Sequence, residues 1–267
     1  MNAQPLHYGL PISAKAMEVY RRLLGLHPIA VDDAISLTPL EMLVFAILSQ
    51  RTTHKNAQQA FDTLRQKFPD LLSLCDAPIH AIESAISDAR WPDLKASYIQ
   101  NSLRHILGWR GGELNLDHLF QMSSEDASAW LERLPGVGRK TSASVLLFST
   151  LRRAVLPVDT GHRRMMMRLG LLRPSASWDK AHLILQSQLP RDWSQREFET
   201  YHSVIKKHAQ TYCDATQPRC AGCILKDLCL HAQTRLHPRP DHAPLITTKR
   251  RKSSDQTHPT QMCMLYD

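Results

Sequence analysis

The 267 residues, 43% of them hydrophobic, suffice for one large domain or two packed lobes around an ordinary core. The longest apolar run, Met42 to Leu48, is far too short to cross a bilayer, and the N-terminus lacks a signal-peptide pattern, so a cytoplasmic protein without membrane contact is expected. The net charge of +8 favours a polyanionic partner, since each neutralised phosphate releases counterions.

Nearly every periodic stretch reads as helix, and no convincing alternating strand is found. An amphipathic helix is predicted near 13–25. Thr38-Pro39-Leu40-Glu41 then forms a capping box with proline at the first helical position. It opens the run Met42 to Leu48, apolar all round, which predicts a helix buried on every side. Amphipathic helices follow near 55–67, 78–88, 94–108 and 124–133, and a second buried one around Val145 to Phe148. Three more are predicted near 162–170, 178–188 and 195–211, the last opened by a capping box of Ser194 and Glu197. From about Gln233 the chain turns to proline, basic and polar residues, including Lys249-Arg250-Arg251-Lys252, and a mobile tail is expected. The expected fold class is all-α.

Leu134-Pro135-Gly136-Val137-Gly138-Arg139-Lys140-Thr141 interrupts two helical patterns. Proline stops the first helix, and Gly136 and Gly138 permit positive φ and close backbone approach. A helix starting at about Gly138 presents unbonded N–H groups and the positive end of its dipole, a natural phosphate site. Such a turn grips backbone rather than base edges, so it positions a nucleic acid without reading its sequence. A lone Gly-x-Gly would be no more than a tight helix connection; the full octet is more specific. Lys140 alone reads as a phosphate contact or a solvated surface charge; once neutral, an amine in its place can also act as a nucleophile that leaves a Schiff base. A free lysine titrates near about 10.4, so neutrality at pH 7 costs roughly 4–5 kcal/mol. The helix end and Arg139 are expected to help expel the proton.

Further on, Pro157-Val158-Asp159-Thr160 precedes another helix. An isolated aspartate there would cap it; turned towards Lys140, Asp159 can also stabilise a cationic sugar and accept the proton of the attacking amine. Of the six cysteines, Cys213, Cys220, Cys223 and Cys229 cluster with intervals of six, two and five residues, while Cys75 and Cys263 lie apart. In a cytosolic chain this clustering reads as metal binding rather than disulfides. Four thiolates suit tetrahedral zinc or a [4Fe–4S] cluster; zinc generally prefers two close pairs, and only Cys220 and Cys223 form one.

Together these residues resemble the endonuclease III family of DNA glycosylases. The octet resembles its helix–hairpin–helix, with Lys140 on the family's catalytic lysine. Val158 to Gly170, with Arg164, Arg168 and Leu169, resembles the stretch opened by its catalytic aspartate, here Asp159, and the cysteine intervals match its cluster pattern. The similarity runs from about Leu37 to Cys229. It implies two helical lobes with DNA in the groove between them: a six-helix barrel at 36–152 with the helix–hairpin–helix, and an iron–sulfur cluster lobe at 153–232. The segment 1–35 is expected to pack on the cluster lobe, and 233–267 to form the basic tail.

By the same resemblance Gly136, Gly138, Arg139 and Thr141 meet the DNA backbone, and Gln50 or Arg51 fills the gap left by a flipped base. Trp91 stands where the family carries a wedging leucine, with core packing as the alternative; Lys95, and Arg219 and Lys226 in the cysteine loop, are expected at phosphates. Two departures occur: Gly161 replaces the family's histidine, with His162 one position later, and the Lys140-to-Asp159 interval is one residue longer. The implied protein is a monomer that binds damaged double-stranded DNA, holds a [4Fe–4S] cluster, removes damaged pyrimidines through a Lys140 Schiff base and nicks the abasic strand. The alternatives are a uracil-, mismatch- or alkylated-base-specific glycosylase of the same fold, a DNA-binding relative without chemistry, and a zinc-bound helical regulator.

Overall fold

The computed structural model describes residues 11–28 and 37–236. Among them the secondary structure is helical apart from one isolated bridge, Leu37 to Ser149. The α-helices are α1 (Ile12–Leu26), α2 (Pro39–Leu48), α3 (His54–Lys67), α4 (Ile79–Ala85), α5 (Pro92–Trp109), α6 (Ser124–Leu131), α7 (Arg139–Phe148), α8 (Thr160–Leu169), α9 (Trp178–Ser187), α10 (Gln195–Thr211) and α11 (Leu230–Leu236). Short 3-10 turns occupy Leu71–Cys75, Asp117–Gln121 and Cys220–Gly222. No helix among the described residues is long and apolar enough to cross a membrane.

Local chemistry sets the helix ends. Thr38 accepts from the N–H of Glu41, and Glu41 reaches back to the N–H of Thr38 at 2.9 Å, closing the capping box that starts α2. Ser123, Asp159 and Ser177 cap α6, α8 and α9 with their side chains. The helix expected over 78–88 stops at Ala85, and Trp91, in the left-handed region before Pro92, separates it from α5. The expected tail begins later than Gln233: residues through Leu236 complete α11, whose Ala232 is buried. Residues 237–267, with Cys263 and the basic run after Thr248, lie outside the described residues.

The buried side chains divide into two cores. Leu43, Ile47 and Leu48 of α2 meet Phe61 of α3, and Ile99, Leu103 and Ile106 of α5, in the first. The second gathers Val19 and Leu23 of α1, Met165 and Met166 of α8, and Tyr201, Val204 and Ile205 of α10. Helix α7 serves both: Val145 and Leu146 enter the first core, Leu147 enters the second, and Phe148 packs against each. Only Glu41 and Phe45 of α2 escape full burial, as a run apolar all round requires.

Candidate active site

The turn before α7 is built around one obligatory glycine. Gly136 has φ +73°, and a Cβ there would stand 2.3 Å from Cδ2 of Tyr98. Gly138 is extended (φ −109°, ψ −177°) and caps α7 with no side chain. Thr141 and Ser142 donate to the Gly138 carbonyl at 2.8 and 3.0 Å. Among the described residues, the N–H groups of Arg139 and Lys140 find no backbone acceptor, which leaves the first turn open to an anion. Gln50, at the end of α2, braces this turn: its amide donates to the Gly136 carbonyl at 2.8 Å and to the hydroxyl of buried Thr141 at 3.2 Å.

Lys140 from the head of α7 and Asp159 from the cap of α8 line one cleft of about 540 Å³ together with Gln50, Arg51, Thr52, His54, Gly161 and Lys206. An adjoining recess of about 370 Å³ shares Lys140, Asp159, His54 and Lys206, and adds Phe45, Phe148, Glu199 and His202. A third recess, about 440 Å³ between α6, α9 and the start of α7, holds neither Lys140 nor Asp159.

Burial is the main force that lowers the pKa of Lys140; Lys206 lowers it further and Asp159 opposes both. The cation whose field reaches Lys140 is therefore Lys206 and not Arg139, which turns to Glu132 at 3.5 Å and lines the third recess. Burial pushes Asp159 upward. That push is outweighed by His202, by the His162 N–H that Oδ1 accepts at 2.7 Å, by the His162 ring and by Lys140, so the carboxyl stays below its ordinary range. His162 and His202 are pulled down to about 3 and about 4, chiefly by burial, and both are neutral at pH 7. His202 is oriented through Nδ1, 2.9 Å from the Pro157 carbonyl, whereas neither ring nitrogen of His162 has a partner among the described residues.

Space beside Gly161 is tight: a Cβ there would lie 3.1 Å from Cβ of Ala209 and 3.3 Å from Oδ1 of Asp159, so a larger side chain requires α10 or the carboxylate to give by a few tenths of an ångström. The imidazole one position later turns into the second core instead.

Arg51 and Trp91 are exposed, and both have positive φ, +50° and +57°. Trp91 is 40% exposed and absent from both cores, and the guanidiniums of Arg90 and Arg51 stand 4.5 and 5.7 Å from its ring centroid. Lys95 departs from its expected place at a phosphate. It is 2% exposed, and its ammonium donates to the carbonyls of Leu48 (2.7 Å) and Gln50 (2.8 Å) and to the Thr52 hydroxyl (2.7 Å). The end of α2, with its orphan carbonyls, holds this cation inside the protein.

Cys213, Cys220 and Cys223 pack against the second core, where Cys229 is buried. Burial pushes the Cys223 thiol up to about 11, and the other three sulfurs add to the rise, so the four face one another electrostatically. N–H groups point at them: Arg168 donates to the Cys213 sulfur at 3.3 Å and the Leu225 backbone to that of Cys223 at 3.4 Å. Four thiols against the second core, Cys229 buried and the other three half-buried, with N–H donors aimed at Cys213 and Cys223, fit a thiolate-held iron–sulfur cluster. Among the described residues, no three His, Cys, Asp or Glu side chains gather closely enough to hold a single metal ion.

His54, His162, Glu199, His202 and Lys206 were not anticipated at the site. The available signal was the spacing of Glu199, His202 or Ser203, and Lys206, polar residues at helical intervals of three or four that share one face of α10.

Residues 44–191 match the family described as HhH-GPD superfamily base excision DNA repair protein. The endonuclease III of Synechocystis sp. is 30% identical over 219 residues, which cover 82% of this chain and 93% of its own. That of Bacillus subtilis is 30% identical over 209 residues, or 78% and 88% of the two chains. A solved structure of a non-covalent endonuclease III–DNA complex superposes with a TM-score of 0.71 at 23% identity, covering 85% of this chain and 99% of that one, and shares its fold.

Proposed function

Because the chain belongs to the HhH-GPD superfamily of base excision DNA repair proteins, we propose that it is a monomeric DNA glycosylase and abasic-site lyase that removes damaged pyrimidines from duplex DNA. The observation that carries this reading is the placement of Lys140 and Asp159, from the heads of two successive helices, on one cleft. DNA binding alone has no use for a carboxylate there, facing the phosphates.

In this reading the neutral amine of Lys140 forms a bond to the sugar C1′ as the glycosidic bond breaks, and the base departs with the electron pair and gains a proton. Asp159 stabilises the positive charge on the sugar and accepts a proton from the attacking nitrogen. Ring opening gives an iminium. Loss of a C2′ proton then expels the 3′ phosphate by β-elimination, and water releases the lysine. The open first turn of α7 holds a backbone phosphate near Gly136 to Thr141. Arg51 is the better candidate to fill the gap left by the flipped base, because Gln50 already uses its amide on the hairpin. Trp91 wedges the stack from its exposed position.

Lobes at 36–152 and 153–232 flank the cleft in this reading, and Cys213, Cys220, Cys223 and Cys229 hold a [4Fe–4S] cluster in the second. When bound, the cluster supplies a structural tie for the loop that carries Arg219 and Lys226.

The test is borohydride trapping of the purified protein on duplexes with thymine glycol, uracil, hypoxanthine, an alkylated base or an abasic site. A covalent adduct with the oxidised pyrimidine is expected, and Lys140→Gln should abolish it while duplex affinity stays within about threefold of wild type. Trapping on the uracil, hypoxanthine or alkylated duplex instead would overturn the substrate assignment. Tight binding without any adduct would overturn the lyase, and an adduct in Lys140→Gln would move the nucleophile to another amine.

A further inference from the structure

Lys206 occupies an unusual place for a lysine on a long amphipathic helix. It lies one turn beyond His202 on α10, half-buried, and borders both recesses that contain Lys140 and Asp159. None of the ion pairs among the described residues includes it. Glu199, the acidic group on the same face of α10, instead accepts from Gln195 at 2.7 Å. An uncompensated ammonium therefore stands in a semi-enclosed space beside an amine that must lose its proton to react.

We propose that Lys206 activates Lys140 as the attacking amine by holding a second positive charge against it inside the shared cleft; this rests on Lys140 being the nucleophile, as read above. Lys206 touches no reacting atom and is a positioning residue. A positive charge sharing the cleft disfavours the ammonium form of Lys140 on top of its burial, and the proton that Lys140 gives up passes to solvent. Of the other cations lining the cleft, Arg51 stands over the Trp91 ring and Arg164 donates to the carbonyls of Ala209 and Cys213. Asp159, from α8, favours the ammonium form, while His202 of α10 is neutral and Arg139 is turned to Glu132. Glu199 of α10 and His54 of α3 also line the recess, and burial first, with Lys206 adding to it, drives His54 towards its neutral form. A duplex docked at the head of α7 brings phosphates that pull the proton back onto Lys140, and Lys206 counters that pull where Arg139 cannot.

The experiment uses the full chain and a duplex with one abasic site, so that the choice of base plays no part. Single-turnover trapping rates are measured from about pH 5.5 to about 9.5, with duplex affinity measured alongside, for wild type, Lys206→Met, Lys206→Gln and Lys206→Arg. The wild-type rate should rise with pH through the lowered titration of Lys140. Removing the charge should move that limb up by about one pH unit, so the rate at pH 6.5 drops about tenfold and converges with wild type above the limb. Lys206→Arg should restore the wild-type limb. A uniform fall at every pH, or an unmoved limb with weakened duplex affinity, would make Lys206 a phosphate contact and overturn the proposal. If wild type itself forms no adduct, it is the Lys140 nucleophile that fails, an outcome distinct from a failure confined to the Lys206 variants.

Discussion

A lysine can lie in a protein interior when enough oxygens wait for it. Lys95 follows Trp91 and Pro92 at the start of α5, a context that reads as an exposed cation. What buries it is the end of α2, where two carbonyls and one hydroxyl converge on the ammonium, and no local pattern reports a partner so distant in sequence. Burial pulls its pKa down to about 8, but three acceptors and the negative end of a helix dipole support the charge. Lys95→Met should leave those acceptors orphaned and cost about 2–4 kcal/mol in urea unfolding. The salt dependence of duplex binding should be unchanged, whereas a slope reduced by about one would reveal a phosphate contact after all. That Lys140 and Asp159 come to one cleft was legible for the opposite reason: each belongs to a short motif that carries its own turn. His202 and Lys206 reach the cleft only because α10 packs against α7 and α8, and their contribution appears once the fold is formed.

Elements announced themselves when their ends were chemically marked. The span 195–211 and the start at Pro39 follow from Ser194 with Glu197 and from Thr38 with Glu41, whose reciprocal bonds are made as the spacing predicts. The 3-10 turns and the seven-residue α11 are too short for a period to emerge, so the tail expected from Gln233 takes in the second half of α11. The hairpin stands between these cases. Its glycines are visible in the sequence, but the ring of Tyr98 that makes Gly136 obligatory is not. Gly136→Ala should combine a left-handed backbone penalty of about 1–2 kcal/mol with overpacking of about 1–3 kcal/mol. Duplex affinity should fall with it, equally for all sequences. Adding Tyr98→Leu should recover the overpacking part alone, read by comparing unfolding free energies of the single and double variants. Full recovery would mean the backbone conformation carries no strain.

Across the whole molecule, the cysteine loop closes the second core at the end of α8 remote from Asp159. Arg168, in the last turn of α8, binds the carbonyls of Cys213, Asp214 and Ala215, and the Cys229 thiol donates to the Arg168 carbonyl at 3.3 Å. On the proposal that this loop holds a [4Fe–4S] cluster, Cys223→Ser should remove visible absorption from the purified protein and lower its unfolding free energy by more than about 2 kcal/mol. Retained colour would show that fewer than four cysteines suffice. The all-helical class and the cysteine intervals were legible in the sequence; the two cores meeting on one helix were not, because Val145 to Leu147 read only as an apolar run.

That shared helix decides which molecule must move. Swinging one core away from the other would strip α7 of neighbours on one side and expose Val145, Leu146 or Leu147 to water, at about 1.5–3 kcal/mol for each side chain. The separation of the amine at the head of α7 from the carboxylate that caps α8 is thus set before any duplex arrives. Such a site does not reach out for its target. On the function proposed, discrimination passes to the nucleic acid, and a nucleotide whose stacking is already weakened yields most readily and travels the distance into a cleft that stays where it is.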